Sequence, residues 1–208
     1  MTSAGDFTRG SGVQMATAPS RPTLLPGLMS SASVQWMTPI NIVDRVVRAF
    51  GRIDLDPSAE PAMAIPARLH FTAEQDGLAR PWVGRTYLNP PYGRAIGRWI
   101  DKLVTERLAG NVTEAIVLVP ARTDTQWFHQ IPTEVICFVK GRLRFSGSGP
   151  APFPSAVAYV GDDPRAFIGA FEDLGMICWM TGIGTEGRSV PTITTSHLIS
   201  QLALFETL

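Results

Sequence analysis

The stretch Leu88-Asn89-Pro90-Pro91-Tyr92-Gly93, which follows the run Arg85-Thr86-Tyr87-Leu88, restricts this chain more than any other piece of it. Pro90 fixes its own φ and keeps Asn89 out of the helical region, and Pro91 does the same to Pro90. The backbone must leave a strand as a stiff, extended elbow. On that elbow Asn89 carries an amide with an acceptor end and a donor end, Pro90 offers a carbonyl with no N–H of its own, and Tyr92 supplies a flat ring. Two acceptors take the two hydrogens of a planar amino group while the ring stacks on the heterocycle that bears it. Held in this way, the nitrogen lone pair turns out of conjugation and toward an electrophile, and no ionised base is needed. The plain alternative is a proline-stiffened turn, so the rest of the chain has to decide.

The 208 residues, 45% of them hydrophobic, fit one domain of ordinary size with a real core. Basic and acidic residues, 18 of each, cancel, so a polyanionic partner would have to be met by a local patch rather than by net charge. Cys137 and Cys178 lie in apolar, strand-like runs and read as buried free thiols in a reducing compartment. No stretch approaches 18 consecutive apolar residues and the N-terminus has no apolar signal core, so the expectation is a cytoplasmic protein with no membrane partner. His70, His129 and His197 are scattered without metal-ligand spacing, and no metal site is expected.

In chain order, residues 1–33 are rich in Ser, Thr, Gly, Pro and Ala without apolar period and read as a disordered tail, with a single domain expected over 34–208. Thr38 suits an N-cap with Pro39 at the first helical position, and Val43, Val46, Val47 and Phe50 then share a face before Gly51 stops the helix. Trp36, just ahead, is either a staple on that first turn or one wall of a ligand pocket. Ile53-Asp54-Leu55-Asp56-Pro57 reads as a short strand ended by Asp-Pro. Carboxylates at the C-terminal edge of a strand in an open α/β sheet lie where ligands bind. Asp54 and Asp56 could there grip ribose hydroxyls or an ammonium group; the alternative is an Asx turn with a solvated carboxylate. From Glu60 to Pro81 the pattern is irregular, and Asp76-Gly77-Leu78 has turn chemistry that would aim Asp76 into the same cleft.

After the elbow a helix is expected from Ala95 to Leu108, with Ile96, Trp99, Ile100, Leu103 and Val104 as its apolar stripe. Arg94 and Arg98 lie off that stripe, either as a solvated face or as phosphate contacts beside a nucleobase site. Ala115 to Pro120 is a continuous apolar run, as in a strand buried on both faces of a parallel sheet. A short helix should open in the segment from Ala121 to Phe128, which carries Arg122, and Glu134 to Val139 reads as a further strand. Arg142 and Arg144 point to one side if Arg142-Leu143-Arg144-Phe145 is extended. Ser155 to Val160 is strand-like, Pro164 to Leu174 helical with Gly175 as its cap, Ile177 to Met180 a last strand and Ser196 to Phe205 a terminal helix. Gly147-Ser148-Gly149 lacks the lysine and the strand-to-helix setting of a phosphate loop and reads as an ordinary loop.

Strand-Asp-Pro, an Asp-Gly-Leu loop, strand-Asn-Pro-Pro-Tyr and a buried strand ending in Pro resemble, in that order, the amino-methylating S-adenosylmethionine-dependent methyltransferases. The closer resemblance is to the phage-type DNA N6-adenine methyltransferase family, from Trp36 to about Val160. It is carried by Trp36-Met37-Thr38-Pro39, Asp54-Leu55-Asp56-Pro57-Ser58-Ala59, Asp76-Gly77-Leu78, the elbow, Leu118-Val119-Pro120-Ala121-Arg122-Thr123 and Gly141-Arg142-Leu143-Arg144-Phe145. The resemblance implies an α/β, Rossmann-like methyltransferase fold with a mostly parallel sheet and helices on both faces. It implies S-adenosyl-L-methionine as cofactor and DNA as partner, in a bacterial cytoplasm and from a phage or prophage. It also implies catalysis by Asn89, Pro90, Pro91 and Tyr92, with Asn89 and the Pro90 carbonyl accepting from the adenine amino group and Tyr92 stacking on the flipped base. Trp36, Thr38, Pro39, Asp54, Asp56, Pro57 and Asp76 would line the cofactor pocket, and Arg94, Arg98, Arg122, Arg142 and Arg144 would meet the nucleic acid. Flipping is needed because the amino group is otherwise paired inside the duplex.

Two departures shape these expectations. Asp56-Pro57-Ser58-Ala59-Glu60-Pro61 holds no glycine, although the broader class has a glycine-rich loop after its first strand. Only 33 positions separate Asp56 from Asn89, too few for two more full strand-helix units, so the sheet should be abbreviated and sequence readout left to loops such as Ser146–Pro154. The same chemistry also suits a protein glutamine amide or an RNA amino group, and the missing glycine loop would suit a non-catalytic nucleic-acid-binding module.

Overall fold

The computed structural model describes Met1 and residues 36–61, 65–145 and 149–180. Apart from Met1, the tail 1–33, the terminal helix Ser196–Phe205 and His197 lie outside the described residues. No helix among the described residues is long and apolar enough to cross a membrane.

Helix α1 spans Ile40–Phe50, with Ile42, Val43, Val46 and Phe50 buried. Its N-cap is Pro39, extended at φ −63° and ψ 143°, one residue later than expected; Thr38 makes no capping bond and its hydroxyl is used elsewhere. Gly51, at φ 66°, ends the helix and returns its N–H to the Val47 carbonyl. Strand β1 follows at Ile53–Asp56, and β2 at Ala67–His70. β2 was unreadable because it is a sheet edge with no buried residue in it and hence no apolar alternation. A 3-10 turn at Ala73–Gln75 carries a Thr72–Gln75 capping box and leads to β3, Gly84–Leu88.

Helix α2 spans Ile96–Leu108 and buries Ile96, Trp99, Ile100 and Leu103. Glu106 is buried there too, tied to Lys102 at 2.5 Å and to the Asn111 side chain at 2.7 Å. β4 (Val112–Pro120), α3 (Gln126–His129), β5 (Val135–Val139), β6 (Ser155–Val160), α4 (Arg165–Phe171) and β7 (Gly175–Trp179) complete the order. Gly175 does not cap α4; it opens β7, because the helix already ends at Phe171. Cys137 is buried, whereas Cys178, on the edge strand β7, is only half-buried; both are free thiols.

Among the described residues the seven strands form one sheet in the order β2-β1-β3-β4-β6-β5-β7. The expectation of a mostly parallel sheet is corrected. β2, β1, β3 and β4 pair in parallel, but β6 is antiparallel to both β4 and β5, and β7 is antiparallel to β5. After β5 the chain turns straight back through a loop and inserts β6 between β4 and β5, where a crossover helix would have been needed to keep it parallel.

Ala115 to Val119 are all fully buried, and because successive side chains alternate, both sheet faces must be covered. One cover is the α1–α4 pair: Arg45 donates to the Ala170 carbonyl at 2.6 Å and Phe167 stacks on Tyr159 of β6. The other includes α2 and α3, with Trp99 against Trp82 and Phe128 stacked on Phe138. Between Asp56 and Asn89 the chain holds one further strand and a 3-10 turn ahead of β3, so the short spacing removes helices there, while the sheet, with seven strands, is not abbreviated as expected.

Candidate active site

From β1 the chain moves outward to β2 and then crosses back to β3, so strand order reverses between β1 and β3. In open α/β sheets the crevice at such a reversal, outside the carboxyl ends of the strands, is where ligands bind. Asp56 ends β1 and Asn89 follows β3 directly at that place. A narrow pocket there is lined by Met37, Thr38, Asp56, Ser58, Glu60, Ile65 and Asn89.

Asn89 is held from three sides. Its Nδ2 donates to the Trp36 carbonyl at 2.7 Å and to Thr38 Oγ1 at 3.1 Å, and its own main-chain carbonyl accepts from the Ser58 hydroxyl at 3.0 Å. The amide cannot be turned over, since a carbonyl only accepts and Trp36 would then face an oxygen. Its other end, Oδ1, is therefore fixed as an acceptor. That oxygen is buried and has no hydrogen-bond partner. Among the described residues the Pro90 carbonyl also accepts no hydrogen bond. A buried acceptor without a partner costs about 1–3 kcal/mol and leaves Oδ1 free to accept from a further donor.

Asp56 is 6% exposed, and burial pushes its carboxyl up to about 7 although the Ser58 N–H donates to it at 3.2 Å. Asp56 thus forms the Asx turn and keeps a buried carboxylate in the pocket. Glu60, also raised by burial, lines the same space. Together they form an acidic end that suits a cationic ligand.

The structure does not bring Asp54 to this place. Asp54 pairs with Arg52 at 3.0 Å and accepts the Arg85 N–H at 3.0 Å, at the start of β3 and the far edge of the sheet. Asp54 stands two positions before Asp56 along β1, toward the opposite rim, where it lies with Arg52, Gly84, Arg85 and Glu114. Asp76 is exposed, left-handed at φ 48°, and accepts from the Leu78 N–H at 3.2 Å; its side chain is not among those lining the pocket. Its neighbour Gly77 does matter there. A Cβ on Gly77 would stand 1.8 Å from the Pro57 carbonyl oxygen, so the loop closes on the Asp56-Pro57 turn only because residue 77 is glycine. This is a packing of loop on loop, and Gly77 itself does not line the pocket. Pro39 is buried at the start of α1, next to Thr38.

Tyr92 is buried, with its hydroxyl 3.4 Å from the Leu118 carbonyl. Its ring meets Phe153 at 5.5 Å and Phe145 at 6.3 Å, both edge to face. Trp36 packs on the same two phenylalanines at 5.3 and 5.1 Å. Trp36 is thus neither a simple staple nor a bare wall: its carbonyl orients Asn89 and its indole joins an aromatic cluster beside the elbow. Sequence reasoning missed Ser58, Glu60, Tyr87, Phe145 and Phe153 as site residues. Phe145 precedes the Gly- and Pro-rich loop and Phe153 lies near its end, and that pair of aromatics was the one available signal.

Arg94, Arg98, Arg122, Arg142 and Arg144 are all exposed, and none enters an ion pair among the described residues. They follow the ends of β3, β4 and β5, three strands that run the same way, and so lie at the edge that carries the elbow. Leu143 and Phe145 are buried while Arg142 and Arg144 point out, as extended alternation requires. At the far edge Arg52, Arg85, Arg107 and Arg165 are neutralised by Asp54, Glu114, Asp162 and Asp163. A chain with no net charge thereby keeps unpaired positive charge on the edge that bears the site. No group of His, Cys, Asp and Glu able to hold a metal occurs among the described residues.

A search of curated proteins finds no match to this chain. The family model described as DNA N-6-adenine-methyltransferase (Dam) matches residues 28–157, a span that runs from ahead of Trp36 through β1, the elbow, β4 and into β6. The chain belongs to the DNA N6-adenine methyltransferase (Dam) family.

Proposed function

We propose that the protein transfers a methyl group from S-adenosyl-L-methionine to the N6 amino group of an adenine in DNA. The observation that carries this reading is the Asn89 amide, pinned at Nδ2 with Oδ1 buried and without a hydrogen-bond partner. An amino group supplies the missing donor. A ring carbonyl in its place would set two acceptors against each other, so the site favours adenine over guanine at this position.

The residues present fit the cofactor. Asp56 and Glu60 supply negative charge for a molecule that carries an ammonium and a sulfonium, and Thr38 and Ser58 line the same pocket with hydroxyls. When bound there, the cofactor supplies an activated methyl group, the electrophile of the reaction. Asn89 Oδ1 and the Pro90 carbonyl hold the two N6 hydrogens, which turns the nitrogen lone pair toward that methyl carbon, so that catalysis rests on positioning. The N6 proton is lost to water after transfer. The target base leaves the stack to reach the elbow, at a cost of a few kcal/mol. Half-buried Trp36 and Phe153 offer aromatic surface beside it, with Tyr92 and Phe145 buried in the same cluster, and the five unpaired arginines offer phosphate contacts.

The test is transfer from labelled S-adenosylmethionine to unmethylated DNA, with RNA and protein in parallel, followed by nucleoside digestion and mass spectrometry. N6-methyladenine from DNA is expected. Label that appears only in RNA or protein refutes the DNA assignment, and a protein that binds DNA but not the cofactor is a binding module.

A further inference from the structure

We infer that the Tyr87 hydroxyl is a positioning group that anchors the Thr38 hydroxyl against Asn89; this rests on the reading of Asn89 as the acceptor of the target amino group. Tyr87 lies inside β3, two residues before Asn89, so the two side chains share a sheet face. It is fully buried, and its hydroxyl stands 3.0 Å from Thr38 Oγ1, its one hydrogen-bond partner among the described residues.

The direction of that bond follows from counting protons. A phenol has one hydrogen, and if Tyr87 accepted from Thr38 its own hydrogen would be stranded in the core. Tyr87 therefore donates to Thr38. Thr38 Oγ1 also accepts from Asn89 Nδ2 at 3.1 Å, so both of its lone pairs are taken. Its own proton is left over, and Thr38 lines the pocket together with Asp56, Ser58, Glu60 and Asn89. One buried hydroxyl thus has two consequences. Thr38 Oγ1 is held where it accepts from Asn89 Nδ2, whose amide the Trp36 carbonyl orients, and Thr38 presents a donor to an acceptor atom of the ligand beside it. The Trp36 carbonyl fixes the second Nδ2 hydrogen, so the two devices act on the two hydrogens of one amide.

Tyr87→Phe deletes the hydroxyl and keeps the ring that fills the core. The expected result is a fall in kcat of about three- to tenfold, the worth of one buried neutral hydrogen bond, with KM for DNA changed by less than about twofold. Thr38→Val leaves both partners without an acceptor and falls further, while Thr38→Ser retains more activity than Thr38→Val. The decisive comparison is the double variant: because Tyr87 acts only through Thr38, adding Tyr87→Phe to Thr38→Val lowers kcat no further. A Tyr87→Phe enzyme with unchanged kcat, or losses that multiply fully in the double variant, overturns the assignment and leaves Tyr87 a packing residue. Absence of methyl transfer to DNA by the unaltered protein is a separate result and refutes the function itself.

Discussion

Replacing Asn89 by Asp changes one NH2 to an oxygen, and the structure says where that atom goes. The Asn89 Nδ2 stands 2.7 Å from the Trp36 carbonyl and 3.1 Å from Thr38 Oγ1, in a residue that is 8% exposed. Thr38 can rotate its proton to meet the new oxygen; the Trp36 carbonyl has none to offer. Two acceptors are then forced together in a buried place, which costs about 2–4 kcal/mol once the charge is included. For a domain of this size that lowers the melting temperature by about 5–10 °C. Relief comes by moving the side chain, and a displacement near 1 Å at a positioning group costs about a hundredfold in rate. The assay is single-turnover methyl transfer beside thermal melting. The penalty belongs to the ionised acid, whose pKa burial must raise. The melting gap to the native protein therefore narrows as pH falls and the introduced carboxyl gains a proton to give to the Trp36 carbonyl. An Asn89→Asp protein that melts and transfers like the native one at about pH 8, well above the ordinary carboxyl range, refutes the pinned amide.

Cofactor affinity rises as pH climbs through about 7, since Asp56 must ionise to attract a cation. Isothermal titration from about pH 5.5 to about pH 8.5 checks this, and Asp56→Asn loses most of the dependence, leaving any contribution of Glu60. The sign for stability is the reverse: a carboxyl raised from an unfolded value of about 4 makes the unliganded protein less stable as pH rises from about 4 toward about 7. Gly77→Ala drives a methyl into the Pro57 carbonyl and lowers stability by at least about 1–3 kcal/mol, read by denaturant melting, with weaker cofactor binding because the loop no longer closes on the Asp56 turn. Arg142→Ala and Arg144→Ala each weaken DNA binding and reduce the slope of log affinity against log salt by about 1, and Arg52→Ala, at the far edge, leaves that slope unchanged.

The elbow was legible because proline leaves few conformations open, and Asp56 because a strand that ends in Asp-Pro fixes where its carboxylate stands. The central strand β4 was legible from its unbroken apolar run, whereas β2 was hidden by its exposure. Asp54 and Asp56 look alike in sequence, two positions apart on one face, yet only the register of β1 against β3 sends one to the rim beside Arg85 and the other to the pocket. The direction of the sheet beyond β4 depended on the loop after β5, whose length permits either a hairpin return or a crossover. Ser58 and Tyr87 act through hydrogen bonds to residues 31 and 49 positions away, and no local pattern encodes such a partner.

The most direct measurement is the yield of N6-methyladenine in DNA treated with the Asn89→Ala protein, taken together with its affinity for S-adenosylmethionine by calorimetry. The account predicts that transfer is lost and that cofactor affinity stays near native, because the missing acceptor serves the target amino group. Native levels of N6-methyladenine from the Asn89→Ala protein would contradict it.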